Sequence, residues 1–393
     1  MIRKFIPNRL VNVAKHLPEA IIANCRYGFA GRKMKVIGVT GSDGKTTTVN
    51  MLYKILKDAG KKVSMISTIN ATIGNEHFDT GFHVTNPSSS DLQKFLRQSY
   101  QNGDEFMVLE VTSHGLDQFR VWGIPFEIGI ITNITHEHLD YHRTFDKYVQ
   151  AKCKLIKNSK IAILNKTDAN FETLKKVASG IVITFPFDFL LKLKVPGKYN
   201  IMNAQAAAAA ARVLGLDNNS IRKSLETFLG LPGRLEEINN KSGIKVIIDF
   251  AHTPNALEQA LKTLRPDTPG RLIAVFGCAG ARDRAKRPMM GKIAAEIANV
   301  IILTDEDPRF EDRNTIIEAI AEGAASAGAK EGLTLFREPD RTRAIKLAIK
   351  MAKMGDTVGI FGKGHEKSMN YLGIERPWSD QKTAISALQD AKQ

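Results

Sequence analysis

The chain has 393 residues, 43% of them hydrophobic and 25% charged, which is enough for two or three domains, each with a core of its own. With 56 Lys and Arg against 41 Asp and Glu, the formal net charge is +15, a balance that favours anionic partners such as nucleotides or carboxylate-rich substrates. Aromatics make up only 7% and are not interleaved with a basic region, so nucleic-acid binding is not expected. The three cysteines, Cys25, Cys153 and Cys278, lie too far apart for a local zinc module and fit a reducing cytoplasm. No signal peptide is evident, and no apolar run approaches the length of a membrane span.

Residues 1–33 stand apart, with seven Lys or Arg and one acidic residue, Glu19. The apolar positions Phe5, Ile6, Leu10, Val11, Val13, Leu17, Ile21 and Ile22 suggest one or two short amphipathic helices interrupted at Pro7 and Pro18. A helical extension packed on the following domain is the favoured reading. Contact with an anionic membrane surface is the alternative, and it is not favoured.

Val36–Thr40 reads as a buried strand that opens into a glycine-rich turn, Thr40-Gly-Ser-Asp-Gly-Lys-Thr46, with a helix following from Thr47 to about Ala59. Backbone N–H groups in such a loop, together with a helix N-terminus, form a site for phosphate anions. Lys45 can reach terminal phosphates, and the Thr46 hydroxyl can ligate the accompanying Mg²⁺. The common P-loop has a glycine where this chain has Val39, so the loop is of a different type.

Further strands are expected at Val63–Thr68, Phe106–Val111, Ile128–Asn133 and Ile161–Leu164, with a closely packed helix at Asn203–Leu214. The alternation of strand and helix implies a mostly parallel sheet covered on both faces. Glu110 ends its strand, where open α/β sheets place ligands, and could hold Mg²⁺ beside Thr46. The segment Thr132–His142 is dense in ligands, with the arrangement His-x-His-x-Asp-x-His. A zinc hydrolase can be imagined from it, but a single histidine serving a Mg²⁺ site fits better beside a phosphate loop. A boundary falls near Leu231-Pro-Gly-Arg234, and beyond it the alternation restarts with Lys245–Phe250, Leu272–Phe276, Val300–Thr304 and Thr357–Phe361. The expected organisation is therefore a basic extension over 1–33, a central P-loop-type ATPase domain over 34–232, and a Rossmann-like doubly wound α/β domain over 233–393.

An ordered set of motifs carries a resemblance. It comprises Thr40–Thr48, Thr85-Asn-Pro-Ser88, Glu110–Leu116, Thr132–His142, Tyr148–Lys152, Gly197–Asn203, Leu231–Glu236, Asp249–Pro254, Asp305-Glu-Asp-Pro-Arg309 and Gly362-Lys-Gly-His-Glu366. In these the chain resembles the Mur ligase family, ATP-dependent amide-forming ligases of cell-wall precursor synthesis, and within it the branch that adds the third amino acid. The resemblance implies that ATP phosphorylates a substrate carboxylate and that an amine then attacks the acyl phosphate. It implies nucleotide contacts from Gly41, Ser42, Asp43, Gly44, Lys45, Thr46, Thr47, Asn203, Arg234, Asp249 and His252. Thr46 and Glu110 would hold one Mg²⁺, and His138 and Lys152 a second. An ammonium has no lone pair, so the Lys152 role requires the carbamate that the family forms with CO₂.

The same resemblance assigns Thr85, Asn86, Thr112, Gln118 and Arg120 to the muramoyl-peptide acceptor. It assigns Arg282, Glu306, Asp307, Arg309, Gly362 and Glu366 to the incoming amino acid, with Arg309 favouring meso-diaminopimelate over lysine. Three departures accompany it. About 35 residues precede the first strand, so a counterpart of the family's UDP-binding N-terminal domain is not expected among them. The stretch from Lys152 to Gly197 is shorter than the family's. Glu306-Asp307 stands where Asp-Asn is usual, which removes donor N–H groups and adds charge. A monomer is expected. A folylpolyglutamate-like or lipid-linked acceptor, or a nucleotide-binding scaffold without catalysis, are the alternative readings.

Overall fold

Val36, Ile37 and Val39 have no accessible surface, because strand β1 (Lys35–Thr40) runs through the middle of an eight-stranded sheet. This is a computed structural model, and it describes residues 8–74, 76–78 and 87–391. The remaining strands of this sheet are β2 (Val63–Ile66), β3 (Ala71–Ile73), β4 (Glu76–Phe78), β5 (Phe106–Glu110), β6 (Phe126–Ile131), β7 (Ser159–Asn165) and β8 (Ile181–Phe185). Their order is β4-β3-β2-β5-β1-β6-β7-β8. Six of the strands pair in parallel, and β3 and β4 add an antiparallel margin.

Continuous apolar runs mark β1 and β5 as buried on both faces, as parallel strands covered by helices require. The helix Lys198–Val213 begins earlier than Asn203, and its alanines Ala204 and Ala206–Ala211 are all buried, since small side chains let it lie close to its neighbours. The sheet belongs to a unit made of Met1–Thr135, Thr144–Lys194 and Tyr199–Phe228.

A second unit comprises His136–Arg143, Val195–Lys198 and Leu229–Gln393. Its sheet adds β9 (Glu236–Glu237), β10 (Lys245–Asp249), β11 (Leu272–Phe276), β12 (Val300–Leu303), β13 (Leu335–Arg337) and β14 (Thr357–Phe361), in the order β13-β12-β11-β14-β10-β9. All pairings are parallel except that of the short β9. A separate hairpin, β15 (Ser368–Tyr371) and β16 (Ile374–Pro377), follows. The core of this unit gathers Val246, Ile248, Ile273, Val275, Ile302, Val358 and Ile360 beneath Ala344, Ile345 and Ala348. A buried ion pair fastens its last helix: Arg341 donates to both oxygens of Asp380 at 2.8 Å, and to the carbonyls of Asp305 and Phe361.

The N-terminal segment departs from its expectation. Asn8 to Arg26 is helical throughout, with a π turn at Asn12–His16, and Pro18 opens the second α-helical stretch instead of interrupting it. Pro lacks an N–H, which the first turn does not need. Pro7, Phe5 and Ile6 lie outside the described residues.

Candidate active site

Parallel pairing sets Val39 opposite Glu110, so the ends of β1 and β5 open at the same edge of the first sheet. The loop Gly41–Gly44 turns from β1 into the helix Lys45–Asp58, two residues earlier than the sequence suggested. Gly44 has a φ of 83°, and a Cβ there would come within 2.1 Å of Asn203 Oδ1, so the loop packs directly on Asn203. The loop is clasped from the other side. Thr132 Oγ1 donates to the Asp43 carbonyl at 2.6 Å, Asn133 Oδ1 accepts from the Asp43 N–H at 2.9 Å, and Ser42 Oγ lies 2.8 Å from Tyr148 Oη. Lys45 Nζ rests on the carbonyls of Gly41 and Ser42, at 3.0 and 2.6 Å.

Glu110 is 1% exposed and gathers oxygen ligands about itself. Thr46 Oγ1 lies 2.9 and 3.1 Å from its two oxygens, and Thr68 meets it through both its N–H and its hydroxyl at 2.8 Å. Hydroxyl and carboxylate oxygens at a phosphate loop suit a hard cation such as Mg²⁺. Lys152 is also buried, its Nζ donating to the Gly41 carbonyl at 2.5 Å and standing 4.6 Å from the Tyr148 ring centre. Lys45, Thr46, Thr47, Asn203, Glu110 and Lys152 thus converge on one loop. Thr68 went unnoticed in the sequence. Its signal was its place just past β2, the neighbour of β5.

Of the acceptor residues, Thr112 caps the short helix Ser113–Asp117 by accepting from Gly115 N–H, and Gln118 Oε1 accepts from Arg120 Nε at 3.1 Å. Thr85 and Asn86 lie outside the described residues.

In the second unit Asp249 ends β10 and accepts backbone N–H bonds from Leu235 and Ala251 at 2.7 and 2.8 Å. Burial raises its pKa, partly offset by Arg234. The Arg234 guanidinium lies 4.5 Å from the Phe250 ring, and His252 and His365 pack on the same ring. Burial, reinforced by Arg234, lowers the pKa of His365 to about 3. Glu137 stands 3.3 Å from His138 and 3.5 Å from His252, which brings an expected metal residue and an expected nucleotide residue onto one carboxylate. The histidines of this segment diverge: His136 pairs with Asp283 at 3.0 Å, and His142 packs edge-on to Tyr141. Among the described residues no three His, Cys, Asp or Glu side chains gather as a metal cage.

The residues expected at the incoming amino acid follow β11 (Arg282), β12 (Glu306, Asp307 and Arg309) and β14 (Gly362 and Glu366). Asp307 and Arg309 both have positive φ, 48° and 55°, on either side of Pro308. Such strain in non-glycine residues is held only where the surroundings enforce it. Here the Arg309 N–H donates to the Asn370 carbonyl, and its own carbonyl accepts from Leu372 N–H. Arg282 is half-buried, and its pKa is lowered first by burial and then by the charge of Arg309. Glu306 is 7% exposed and sits against Gly362, where an added Cβ would approach its Oε2 to 2.8 Å. That Oε2 has no hydrogen-bond partner among the described residues, and burial raises the Glu306 pKa despite Lys286 and His252.

Asp307 does not add a free charge, as the sequence implied. Its Oδ1 is 2.9 Å from the buried Lys363 Nζ and accepts from the Asn370 N–H. Burial works against the Lys363 charge, and Glu366 and Asp307 more than offset it, so its pKa stays above the usual lysine value. Lys363 lies within the motif Gly362–Glu366, whose sequence alone does not disclose this pairing.

Comparison with known proteins places this geometry in context. The family models that match are the Mur ligase middle domain, over residues 39–189, and the Mur ligase glutamate ligase domain, over 233–364. A Clostridium botulinum UDP-N-acetylmuramoyl-L-alanyl-D-glutamate–2,6-diaminopimelate ligase is 38% identical, covering 88% of this chain and 76% of the relative. A Roseiflexus UDP-N-acetylmuramyl-tripeptide synthetase is 35% identical over 98% of this chain and 83% of its own length. A solved UDP-N-acetylmuramoyl-L-alanyl-D-glutamate–2,6-diaminopimelate ligase superposes with a TM-score of 0.59 at 30% identity, over 92% of this chain and 79% of that one.

Proposed function

The chain belongs to the Mur ligase family, and from that premise we propose that it joins meso-diaminopimelate to the glutamate carboxylate of a UDP-muramoyl-dipeptide. The reaction class is that of an ATP-dependent amide-forming ligase. In this reading Lys45 and the loop N–H groups hold the β and γ phosphates, and Thr46 and Glu110 hold a Mg²⁺. That ion would supply charge neutralisation as the phosphoryl group moves to the acceptor carboxylate. Lys152 would serve as a carbamate, which turns a cation into an anionic oxygen ligand, and His138 would offer a neutral nitrogen ligand for Mg²⁺. Asn203, Arg234, Asp249 and His252 complete the nucleotide contacts. Thr85, Asn86, Thr112, Gln118 and Arg120 position the acceptor, and the reaction is proposed to run in the cytoplasm.

The observation that carries the amino-acid assignment is that the half-buried Arg282 lies within range of the Arg309 charge, which after burial lowers the Arg282 pKa, so that an anion beside the two guanidiniums is favoured. Diaminopimelate brings a distal carboxylate to that pair and a distal ammonium to Glu366, whereas lysine brings the ammonium alone. Glu306, which lies against Gly362, completes the proposed contacts to this substrate.

The test is phosphate release from ATP and Mg²⁺ with UDP-muramoyl-alanyl-glutamate as acceptor, comparing diaminopimelate with lysine. Diaminopimelate is expected to be preferred. Arg309→Ala should lower kcat/KM for diaminopimelate about a hundredfold, the loss of a charge-assisted bidentate contact worth roughly 2–3 kcal/mol, and leave lysine nearly unchanged. Equal use of both amino acids by the unaltered enzyme would refute the assignment.

A further inference from the structure

The helical stretch from Asn8 to Arg26 is amphipathic in the inverse sense. The face packed on the first unit carries small or polar residues: Asn12, Ala20, Ala23 and Asn24 are all buried. Asn12 Nδ2 donates to Asp117 Oδ2 at 2.8 Å, and Asn24 Nδ2 donates to the carbonyls of Ala20 and Trp122 at 2.9 Å. Four large aliphatic side chains face outward, Leu10 60%, Val13 48%, Ile21 38% and Ile22 65% exposed, while Val11 and Leu17 are half-buried.

The π turn at Asn12–His16 organises this outer face. An unbroken 3.6-residue helix would set Leu10 and Ile22 about 120° apart around the axis. A π turn holds more residues and retards the phase, which brings the two toward one side. Cationic side chains border the stripe: Arg9, Lys15, Arg26, Arg32 and Lys33 are all exposed. The one acidic residue here, Glu19, lies 3.1 Å from His16. Arg26, Arg32 and Lys33 stand 5.7, 4.5 and 5.1 Å from the ring centres of Tyr27, Phe29 and Tyr100.

We propose that this face docks the enzyme on an anionic lipid surface, the aliphatic stripe entering the headgroup region and the cations meeting lipid phosphates. Apolar insertion and a basic border are the two components that a surface helix needs for stable attachment, and aromatic rings beside cations suit the same interface. Among the described residues no helix is long and apolar enough to cross a bilayer, so the helix lies in the plane of the surface. A second copy of the chain is a poorer occupant. A two-fold contact would bring like-charged borders against each other.

The test is sedimentation of the full chain with vesicles of phosphatidylcholine mixed with phosphatidylglycerol, against phosphatidylcholine alone. Binding is expected to the mixed vesicles only and should weaken with added salt. The double variant L10S/I22S should lower the partition coefficient about tenfold or more, because two aliphatic side chains no longer leave water. K15E/R26E should lower it as well. Both variants alter exposed positions away from the candidate site, so unchanged melting temperature and ligase turnover serve as controls. Absent binding, equal binding to both vesicle types, or binding indifferent to L10S/I22S would overturn the proposal. So would self-association abolished by L10S/I22S without vesicle binding, which would assign the stripe to a second copy.

Discussion

Lys152 concentrates the chemistry of the account in one atom. An ammonium buried beside the Gly41 carbonyl and the Tyr148 ring cannot coordinate a cation, while a carbamate on the same nitrogen can. Protein incubated with isotope-labelled bicarbonate should therefore show a carbamate carbon resonance that Lys152→Arg lacks. A spectrum without that resonance would remove the carbamate from the reading. His365 supports a second prediction at this scale. Its folded pKa of about 3 lies below the unfolded 6.5, so the unfolded chain takes up a proton first as pH falls. Stability is full above 6.5 and is lost progressively toward about 3. In His365→Gln the slope of stability against pH across that window should shrink by about one proton. An unchanged slope would show that His365 titrates normally in the fold. The sequence revealed the identities of these residues through their motifs, but not their electrostatics. Nothing in Gly-Lys-Gly-His-Glu says that Lys363 neutralises Asp307, because that pairing joins residues far apart in the chain.

At the scale of elements, the buried pair of Arg341 and Asp380 joins the helix Asp380–Asp390 to the ends of two central strands. Asp380→Ala would leave a fully buried guanidinium without its counter-charge. It should cost roughly 3–5 kcal/mol in chemical denaturation, whereas a surface pair such as Lys262 with Glu258 should cost less than about 1 kcal/mol. The strands the sequence disclosed, β1, β2, β5, β6, β7, β10, β11, β12 and β14, are those with largely apolar runs, and each lies inside its sheet. β8 escaped notice because it is an edge strand with Ile181 exposed, and β16 because all four of its residues are exposed. The start of β6 at Phe126 was missed because Glu127 interrupts its apolar run. A polar interruption hides a strand whose neighbours supply the burial. The inverse amphipathicity of the N-terminal helix was equally hidden, since periodicity shows that a helix has two faces but not which one turns inward.

For the whole molecule, the glycine-rich loop, Glu110 and the residues proposed for the amino acid follow strand ends in two α/β units, where open parallel sheets generally hold their ligands. The surplus of positive charge suits a reaction in which every reactant carries phosphate or carboxylate. In the proposed reaction such a substrate carboxylate is phosphorylated by ATP before the amine attacks. The most direct measurement uses acceptor labelled with heavy oxygen in the glutamate carboxylate and follows the label by mass spectrometry during turnover with diaminopimelate. An acyl phosphate must leave one acceptor oxygen in the released phosphate, so the account predicts one labelled oxygen per phosphate and the tripeptide as product. Tripeptide formed with unlabelled phosphate would contradict it.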